Sequence, residues 1–117
     1  MEKYRVYAGI DLNAVRYNME SMHKNLKEGT RMAAVIKADA YGHGALKIAE
    51  AIENLSYLWG YAVATADEAE ALIQDGRKKP VLILGISFPT QYAHVSQPQD
   101  ERKISHTVYV PFVSILV

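Results

Sequence analysis

Hydrophobic positions along the chain follow two alternating patterns, one typical of helices and one typical of buried strands. The helical pattern occurs over residues 12–26, 46–55 and 69–73, where apolar side chains recur three and four positions apart. Between these segments lie short continuous apolar runs, as in strands covered on both faces. The runs begin near Met32, Trp59, Val81 and His106. Such an alternation predicts βαβ units that share one parallel sheet.

Turn and cap residues mark where the predicted helices begin and end. Gly29 is placed to end the first helix and Gly76 to end the third. Thr65 and Glu68 fit a capping box, in which the hydroxyl and the carboxylate satisfy free amides at the start of the third helix. A weaker helix is predicted after Pro89.

The predicted strands begin about 25 residues apart, which suits two architectures. One is a doubly wound open sheet and the other is part of a (β/α)8 barrel. Strands that follow one another in chain order fit the barrel, whereas an order that reverses beside the first strand fits the doubly wound sheet. Periodicity alone does not choose between them.

Composition limits the kinds of partner and compartment. The 117 residues are 50% hydrophobic and 22% charged, and 13 basic residues balance 13 acidic ones. This balance removes the electrostatic case for nucleic acid or a membrane surface as a partner. The chain has no cysteine, no secretory signal pattern and no histidine pair at metal-ligand spacing. We therefore expect a cytoplasmic protein without a metal site.

A lysine ends the first predicted strand, in the segment AVIKADAYGHG (residues 34–44). Lys37 lies where a parallel strand reaches its carboxyl end, the edge at which such sheets bind ligands. Partial burial there would lower the pKa of the amine and make it a nucleophile. Taken alone, Lys37 is more simply a side chain reaching solvent along its methylene stem, and Tyr41 is an ordinary rim aromatic. Position by itself is not decisive.

The whole segment is more specific than its single residues. AVIKADAYGHG resembles, without a gap, the pyridoxal-phosphate attachment site of alanine racemases. The flanking stretches GIDLNAVRYNM, ADEAEALIQDG and PVLILG are similar to the opening of the same family. The resemblance covers about residues 5–95.

The resemblance implies a fold and an assembly. It implies the N-terminal half of a (β/α)8 TIM-type barrel of the fold-type III pyridoxal-phosphate enzymes, truncated after about four parallel strands. Residues 1–10 would hold a strand that family members pair with a second domain, and residues 111–117 match nothing in the family. The full-length protein is expected to be a homodimer.

The resemblance also implies a reaction, the interconversion of L-alanine and D-alanine, which supplies D-alanine for peptidoglycan. Lys37 would hold pyridoxal 5'-phosphate as a Schiff base and act as a catalytic acid or base. Tyr41 matches the family tyrosine whose hydroxyl reaches the cofactor phosphate. The second catalytic base, the partner of the pyridine nitrogen and the main phosphate site would lie beyond these residues, so residues 1–117 alone are not expected to be active.

Three alternatives stay open from the sequence. The chain could belong to a racemase for another amino acid, such as serine or lysine. It could belong to a non-catalytic pyridoxal-phosphate-binding barrel protein, which also places a lysine after its first barrel strand. It could also be the inactive product of an interrupted gene.

Overall fold

The computed structural model describes residues 4–85, 104–105 and 113–116, with only the backbone of the last two segments. It shows an α/β fold built on a five-stranded sheet whose paired strands all run parallel. The elements, in chain order, are α1 (Leu12–Lys24), β1 (Arg31–Val35), a turn at Lys37–Tyr41, α2 (Ala45–Ile52), β2 (Leu58–Val63), α3 (Ala66–Gln74), β3 (Val81–Ile83), β4 (Ile104–Ser105) and β5 (Val113–Leu116).

The predicted βαβ alternation is confirmed through β3. The first three strands begin within one residue of the predicted starts, and the three amphipathic segments are helices. The fourth strand occupies Ile104–Ser105, slightly before the predicted start at His106. The remainder of that predicted strand and the predicted helix after Pro89 lie outside the described residues.

The core lies between one face of the sheet and the helices. Alternate strand residues point toward the helices because successive side chains of a strand face opposite ways. These residues join Met19, Ile48, Ile52 and Leu72 of the helices in one cluster. The sheet residues of the cluster are Met32, Ala34, Leu58, Tyr61, Val63, Val81 and Ile83.

Strand β2 closely approaches Pro80, the residue directly before β3. The Tyr61 amide donates to the Pro80 carbonyl at 2.9 Å. A Cβ atom added at Gly60 would meet that same carbonyl well inside van der Waals contact. Glycine at position 60 therefore allows the two strands to pair at this end of the sheet.

The order of the strands differs in one respect from the sequential order expected of half a barrel. The order is β4-β3-β2-β1-β5, so the first four strands are sequential but β5 lies on the far side of β1. Ala33 pairs with Gly60 of β2 on one edge and with Ile115 of β5 on the other. Residues 113–116 of the tail are thus part of the sheet, and β1 has a neighbouring strand on each edge.

The position of β5 beside β1 follows from strand pairing, because an unpaired strand edge binds an available segment rich in β-forming residues. By the criterion of strand order alone, a strand beside β1 fits a doubly wound sheet. In a closed barrel, however, the first strand also has a neighbour on each edge. Strand order therefore does not separate the two architectures here.

The segment before α1 belongs to no helix or strand over residues 7–11. The side chains of Val6 and Tyr7 are 85% and 83% exposed. Asp11 caps helix α1, and its carboxylate accepts hydrogen bonds from the amides of Asn13 and Ala14. Among the residues that the structure describes, every helix is too short or too polar to cross a bilayer.

Candidate functional site at the carboxyl end of β1

Lys37 lies at the carboxyl end of β1, as the sequence predicts. Directly after β1, the Ile36 amide donates a hydrogen bond of 2.9 Å to the Ala62 carbonyl of β2. Ile36 is buried among the core residues, and Lys37 follows it directly with a partly buried side chain. The amine is thus carried at the edge where parallel sheets bind their ligands.

The backbone after Lys37 forms a turn of left-handed helix. Ala38, Asp39, Ala40 and Tyr41 have φ angles of 51°, 56°, 52° and 56°. A left-handed conformation brings Cβ close to the following carbonyl oxygen and costs roughly 1–2 kcal/mol for each residue that is not glycine. Four such residues in succession need strong support from their surroundings. We call residues 37–41 the lysine turn.

Backbone hydrogen bonds within the segment supply part of this support. The Ala40 amide donates to the Ile36 carbonyl at 3.0 Å. The amides of Gly42 and Gly44 both donate to the Asp39 carbonyl, at 3.1 and 3.0 Å. Gly42 and Gly44 have φ angles of 87° and 89°, which favour glycine. The two glycines thus let the chain fold back onto the lysine turn.

Side chains within the segment add two further contacts. The Asp39 carboxylate accepts a hydrogen bond of 2.8 Å from the amide of Ala45, the first residue of α2. His43 Nδ1 lies 2.8 Å from the Ala40 carbonyl. Both side chains therefore support the geometry of the turn.

Glu68 of α3 supplies a contact that sequence reasoning missed. Its Oε2 accepts a hydrogen bond of 2.7 Å from the Ala38 amide, and its Oε1 accepts one of 3.2 Å from the Ala64 amide. The Thr65 hydroxyl also donates to Oε1, at 3.1 Å, while it accepts from the Glu68 amide at 3.2 Å. The predicted helix cap by Thr65 is confirmed, and the carboxylate reaches beyond the helix to the lysine turn.

Lys37 and Tyr41 stand at the two ends of the lysine turn. Tyr41 is 55% exposed, and together with His43 it lines a cavity of about 300 Å³ between α1, α2 and the end of β1. A second cavity, of about 230 Å³, lies between α2 and α3 and is lined in part by Asp39 and Glu68. Lys37 lines neither of these two cavities.

Burial shifts the pKa values of Lys79 and Tyr57, which lie toward the amino ends of the strands. Lys79 Nζ donates to the carbonyl oxygens of Leu55 and Leu58, at 2.8 and 2.6 Å, and burial lowers the pKa of its ammonium group. Burial also raises the pKa of the Tyr57 phenol to about 12, assisted by a hydrogen bond to Glu20. These groups lie away from the lysine turn, and their contacts are those of a structural support.

Within the residues that the structure describes, no group of three or more histidine, aspartate or glutamate side chains is placed to hold a metal ion. The chemistry at the carboxyl end of β1 is instead that of an amine, a phenol and two carboxylates already bonded to backbone amides. Parallel α/β sheets in general bind small ligands beyond the carboxyl ends of their strands, and Lys37 lies at that edge.

Comparison with known proteins identifies the family of the chain. The model of the family described as "Alanine racemase, N-terminal domain" matches residues 10–111. The chain therefore belongs to the alanine racemase N-terminal domain family, and the resemblance inferred from AVIKADAYGHG is confirmed.

Individual relatives agree with the family assignment. An alanine racemase of Streptococcus pneumoniae (strain Hungary19A-6) is 46% identical over 78 residues, which are 67% of this chain and 21% of the relative. A solved alanine racemase of Clostridium difficile 630 matches with a TM-score of 0.63 and 38% identity, over 66% of this chain and 20% of the other. The chain thus spans about a fifth of the length of the relatives it matches.

Two further solved structures widen the comparison. The alanine racemase of Bacillus anthracis with bound L-Ala-P matches with a TM-score of 0.64 and 30% identity, over 74% of this chain and 23% of the other. A histidine racemase of Leuconostoc mesenteroides matches with a TM-score of 0.58 and 28% identity, over 65% and 20%. The described α/β fold therefore matches the N-terminal part of several amino-acid racemases.

Proposed function

We propose that this chain is the N-terminal part of a pyridoxal-phosphate-dependent alanine racemase and that Lys37 is the residue that holds the cofactor. One observation supports the proposal most directly: a partly buried lysine follows β1 at the ligand-binding edge, within the segment AVIKADAYGHG. Membership of the alanine racemase family supports the choice of reaction.

The residues at this edge fit the cofactor by their chemistry. The amine of Lys37 can bond to the aldehyde carbon of pyridoxal phosphate with loss of water, and the exposed phenol of Tyr41 can donate a hydrogen bond to its phosphate. When bound, the cofactor acts as an electron sink that makes the Cα proton of an amino acid acidic.

Lys37 would have a second role, as the group that moves a proton at the substrate Cα on one face. Racemisation also needs a group on the opposite face, because the proton must be removed from one side and returned on the other. We do not assign that group to any of the eight tyrosines of this chain. We propose that it belongs to the part of the enzyme that the chain does not span.

The remaining features of the whole enzyme follow from the family. We propose that the described sheet is the first part of a (β/α)8 barrel, that the complete enzyme adds a second domain and that it forms a homodimer. Its product, D-alanine, would serve peptidoglycan synthesis in the cytoplasm.

A second substrate is a candidate because a histidine racemase matches the same part of the fold. The described residues include the proposed cofactor lysine but not a recognisable pocket for the substrate side chain. The lysine turn is therefore compatible with racemases of more than one amino acid, and alanine is favoured by the 46% identity to an alanine racemase.

The cofactor assignment is tested by trapping. Pyridoxal phosphate is added to the chain, the adduct is reduced with borohydride and the modified peptides are mapped. We expect the adduct on Lys37 in excess of Lys24 and Lys47, both of which are exposed lysines away from the carboxyl end of β1. An adduct that favours either of those lysines would overturn the assignment.

Activity is tested with the same protein. Residues 1–117 alone should form no more D-alanine from L-alanine than the Lys37→Ala variant, because the opposite-face group is missing. Racemisation above that control would show that the second group lies within this chain.

The Tyr41→Phe variant should retain pyridoxal phosphate less well, by roughly 1.5–3 kcal/mol for a lost hydrogen bond to a charged acceptor, and equal retention would argue against the phosphate role.

A further inference from the structure

Glu68 connects two parts of the chain that are 30 residues apart. One carboxylate oxygen belongs to the cap of α3, where it accepts from the Ala64 amide and the Thr65 hydroxyl. The other oxygen accepts a hydrogen bond of 2.7 Å from the amide of Ala38, the residue directly after Lys37. A cap needs only the first of these contacts, so the second calls for its own explanation.

The position of the Ala38 amide makes this contact consequential. Ala38 is the first residue of the left-handed run, with φ 51° and ψ 46°. The bond at 2.7 Å joins a backbone donor to a carboxylate, which makes it stronger than a bond between neutral groups. It therefore anchors the strained turn at the point where the turn leaves Lys37.

Other bonds support the turn before and beyond Ala38, including the one from the Ala40 amide to the Ile36 carbonyl. The Asp39 carbonyl binds the amides of Gly42 and Gly44, and the Asp39 carboxylate binds the Ala45 amide. The bond from Glu68 holds the backbone directly after Lys37, while the bond from the Ile36 amide to the Ala62 carbonyl of β2 holds it directly before. Because α3 follows β2 directly, the bond from Glu68 ties the direction of Lys37 to the neighbouring strand.

We propose, resting on the function proposed above, that Glu68 is a positioning residue for Lys37. Its carboxylate fixes the left-handed backbone at Ala38 and so directs the Lys37 amine toward the aldehyde carbon of pyridoxal phosphate. Glu68 itself touches neither cofactor nor substrate in this role. Its action is to limit the range of orientations that the amine can take, which favours reaction by pre-organisation.

Three variants of the 117-residue chain separate positioning from simple helix capping. Thr65→Ala removes the cap hydroxyl but leaves the bond from Glu68 to Ala38. Glu68→Ala removes both the cap contact and the bond to Ala38. Glu68→Gln keeps one carbonyl oxygen, which can accept from one of the two amides that the carboxylate serves, so its effect should lie between those of the other two.

The first measurement is hydrogen exchange without any cofactor. In Glu68→Ala the Ala38 amide should exchange at least about tenfold faster relative to amides at the centre of β2, because its acceptor is gone. In Thr65→Ala the Ala38 amide should exchange at the unmodified rate. Equal acceleration at Ala38 in the two variants would overturn the proposal, since it would show that Glu68 acts only by stabilising α3.

The second measurement is the borohydride-trapped adduct with pyridoxal phosphate, expressed as the amount on Lys37 relative to Lys47. We expect this ratio to fall at least about fivefold in Glu68→Ala, less in Glu68→Gln and hardly at all in Thr65→Ala. A ratio unchanged in Glu68→Ala would overturn the positioning role and leave the cofactor assignment standing. An unmodified chain that does not favour Lys37 would instead overturn the proposed function, and the positioning role with it.

Discussion

The phenolic hydroxyl of Tyr61 donates a hydrogen bond to the carboxylate of Glu53 and thereby joins β2 to the end of α2. Tyr61 is 0% exposed and Glu53 is partly buried, so this polar contact lies at the margin of the core. The other oxygen of Glu53 accepts from the Lys78 amide at 2.6 Å. One carboxylate therefore connects a strand, a helix and the segment that leads into β3.

Removal of the Tyr61 hydroxyl should destabilise the fold more than removal of the Tyr57 hydroxyl, which belongs to a less buried residue. We expect Tyr61→Phe to lower the free energy of unfolding by about 1.5–3 kcal/mol, because a carboxylate loses a buried partner. The matched control is Tyr57→Phe, which loses a bond of 3.0 Å to the exposed Glu20 and should cost less than about 1 kcal/mol. Urea titration of both variants measures the difference, and equal losses would contradict the buried role of Tyr61.

The same two tyrosines predict how stability changes in alkaline solution. Burial, with the bond to Glu20, raises the pKa of Tyr57 to about 12, and burial, with the bond to Glu53, raises the pKa of Tyr61. In the unfolded chain both phenols lose their protons near their ordinary pKa of about 10. Above that pH the unfolded chain binds fewer protons than the folded one, so the free energy of unfolding falls as pH rises.

This contribution should be fully present below pH of about 10 and decline from there toward pH 12. We expect the decline to be shallower in a double variant with Tyr57→Phe and Tyr61→Phe. Lys79, whose pKa is lowered by burial, shifts stability in the opposite direction, but it is common to both proteins. Urea titrations at a series of pH values measure the two slopes, and parallel curves would show that these phenols do not determine the decline.

Much of the fold was predictable because its causes are local. The spacing of apolar residues defined three helices, and continuous apolar runs located β1, β2 and β3. Thr65 was recognisable as a cap because the hydroxyl and the amide it binds are three residues apart. Lys37 was placed at the carboxyl end of β1 because the apolar run stops there.

The lysine turn was not predictable in the same way. The residues KADAY contain no glycine, and local preference gives no reason for left-handed backbone at Ala38 or Ala40. The supporting carboxylate comes from Glu68, 30 residues later, and it reaches Ala38 only once β1 and β2 are paired. The conformation is thus a consequence of tertiary contacts, which a local pattern does not contain.

A pair of matched glycine substitutions tests this strain. Ala38→Gly should stabilise the protein relative to Ala71→Gly by about 1–2 kcal/mol or more. Ala38 is left-handed, where glycine has no Cβ penalty, while Ala71 lies within α3, where glycine costs about 1 kcal/mol. Both substitutions add the same flexibility to the unfolded chain, so the difference reports the folded state. Thermal or urea unfolding measures it, and a difference near zero would mean that the left-handed turn is not strained.

The last prediction concerns strand β5, whose pairing with β1 was not expected from the sequence. The tail over residues 108–117 is uncharged and rich in β-forming residues, which is the composition of an aggregating segment. If it acts as such a segment, its removal should improve solubility. In the structure, Val113–Leu116 instead pairs in parallel with β1, from Arg31 to Ala34. Removal of residues 113–117 would then uncover the edge of β1 and leave its backbone groups unpaired.

We therefore expect the shortened chain to unfold at lower urea concentration than the full chain and to associate more readily, as seen in sedimentation. The matched control replaces Ser114 by proline in the 117-residue chain, which removes a backbone donor from β5 without shortening the tail. The Ser114→Pro variant should also unfold at lower urea concentration than the unmodified chain, but by a smaller amount than the shortened chain. A shortened chain that is more soluble and equally stable would show that the tail acts as an aggregating segment and that β1 does not depend on it.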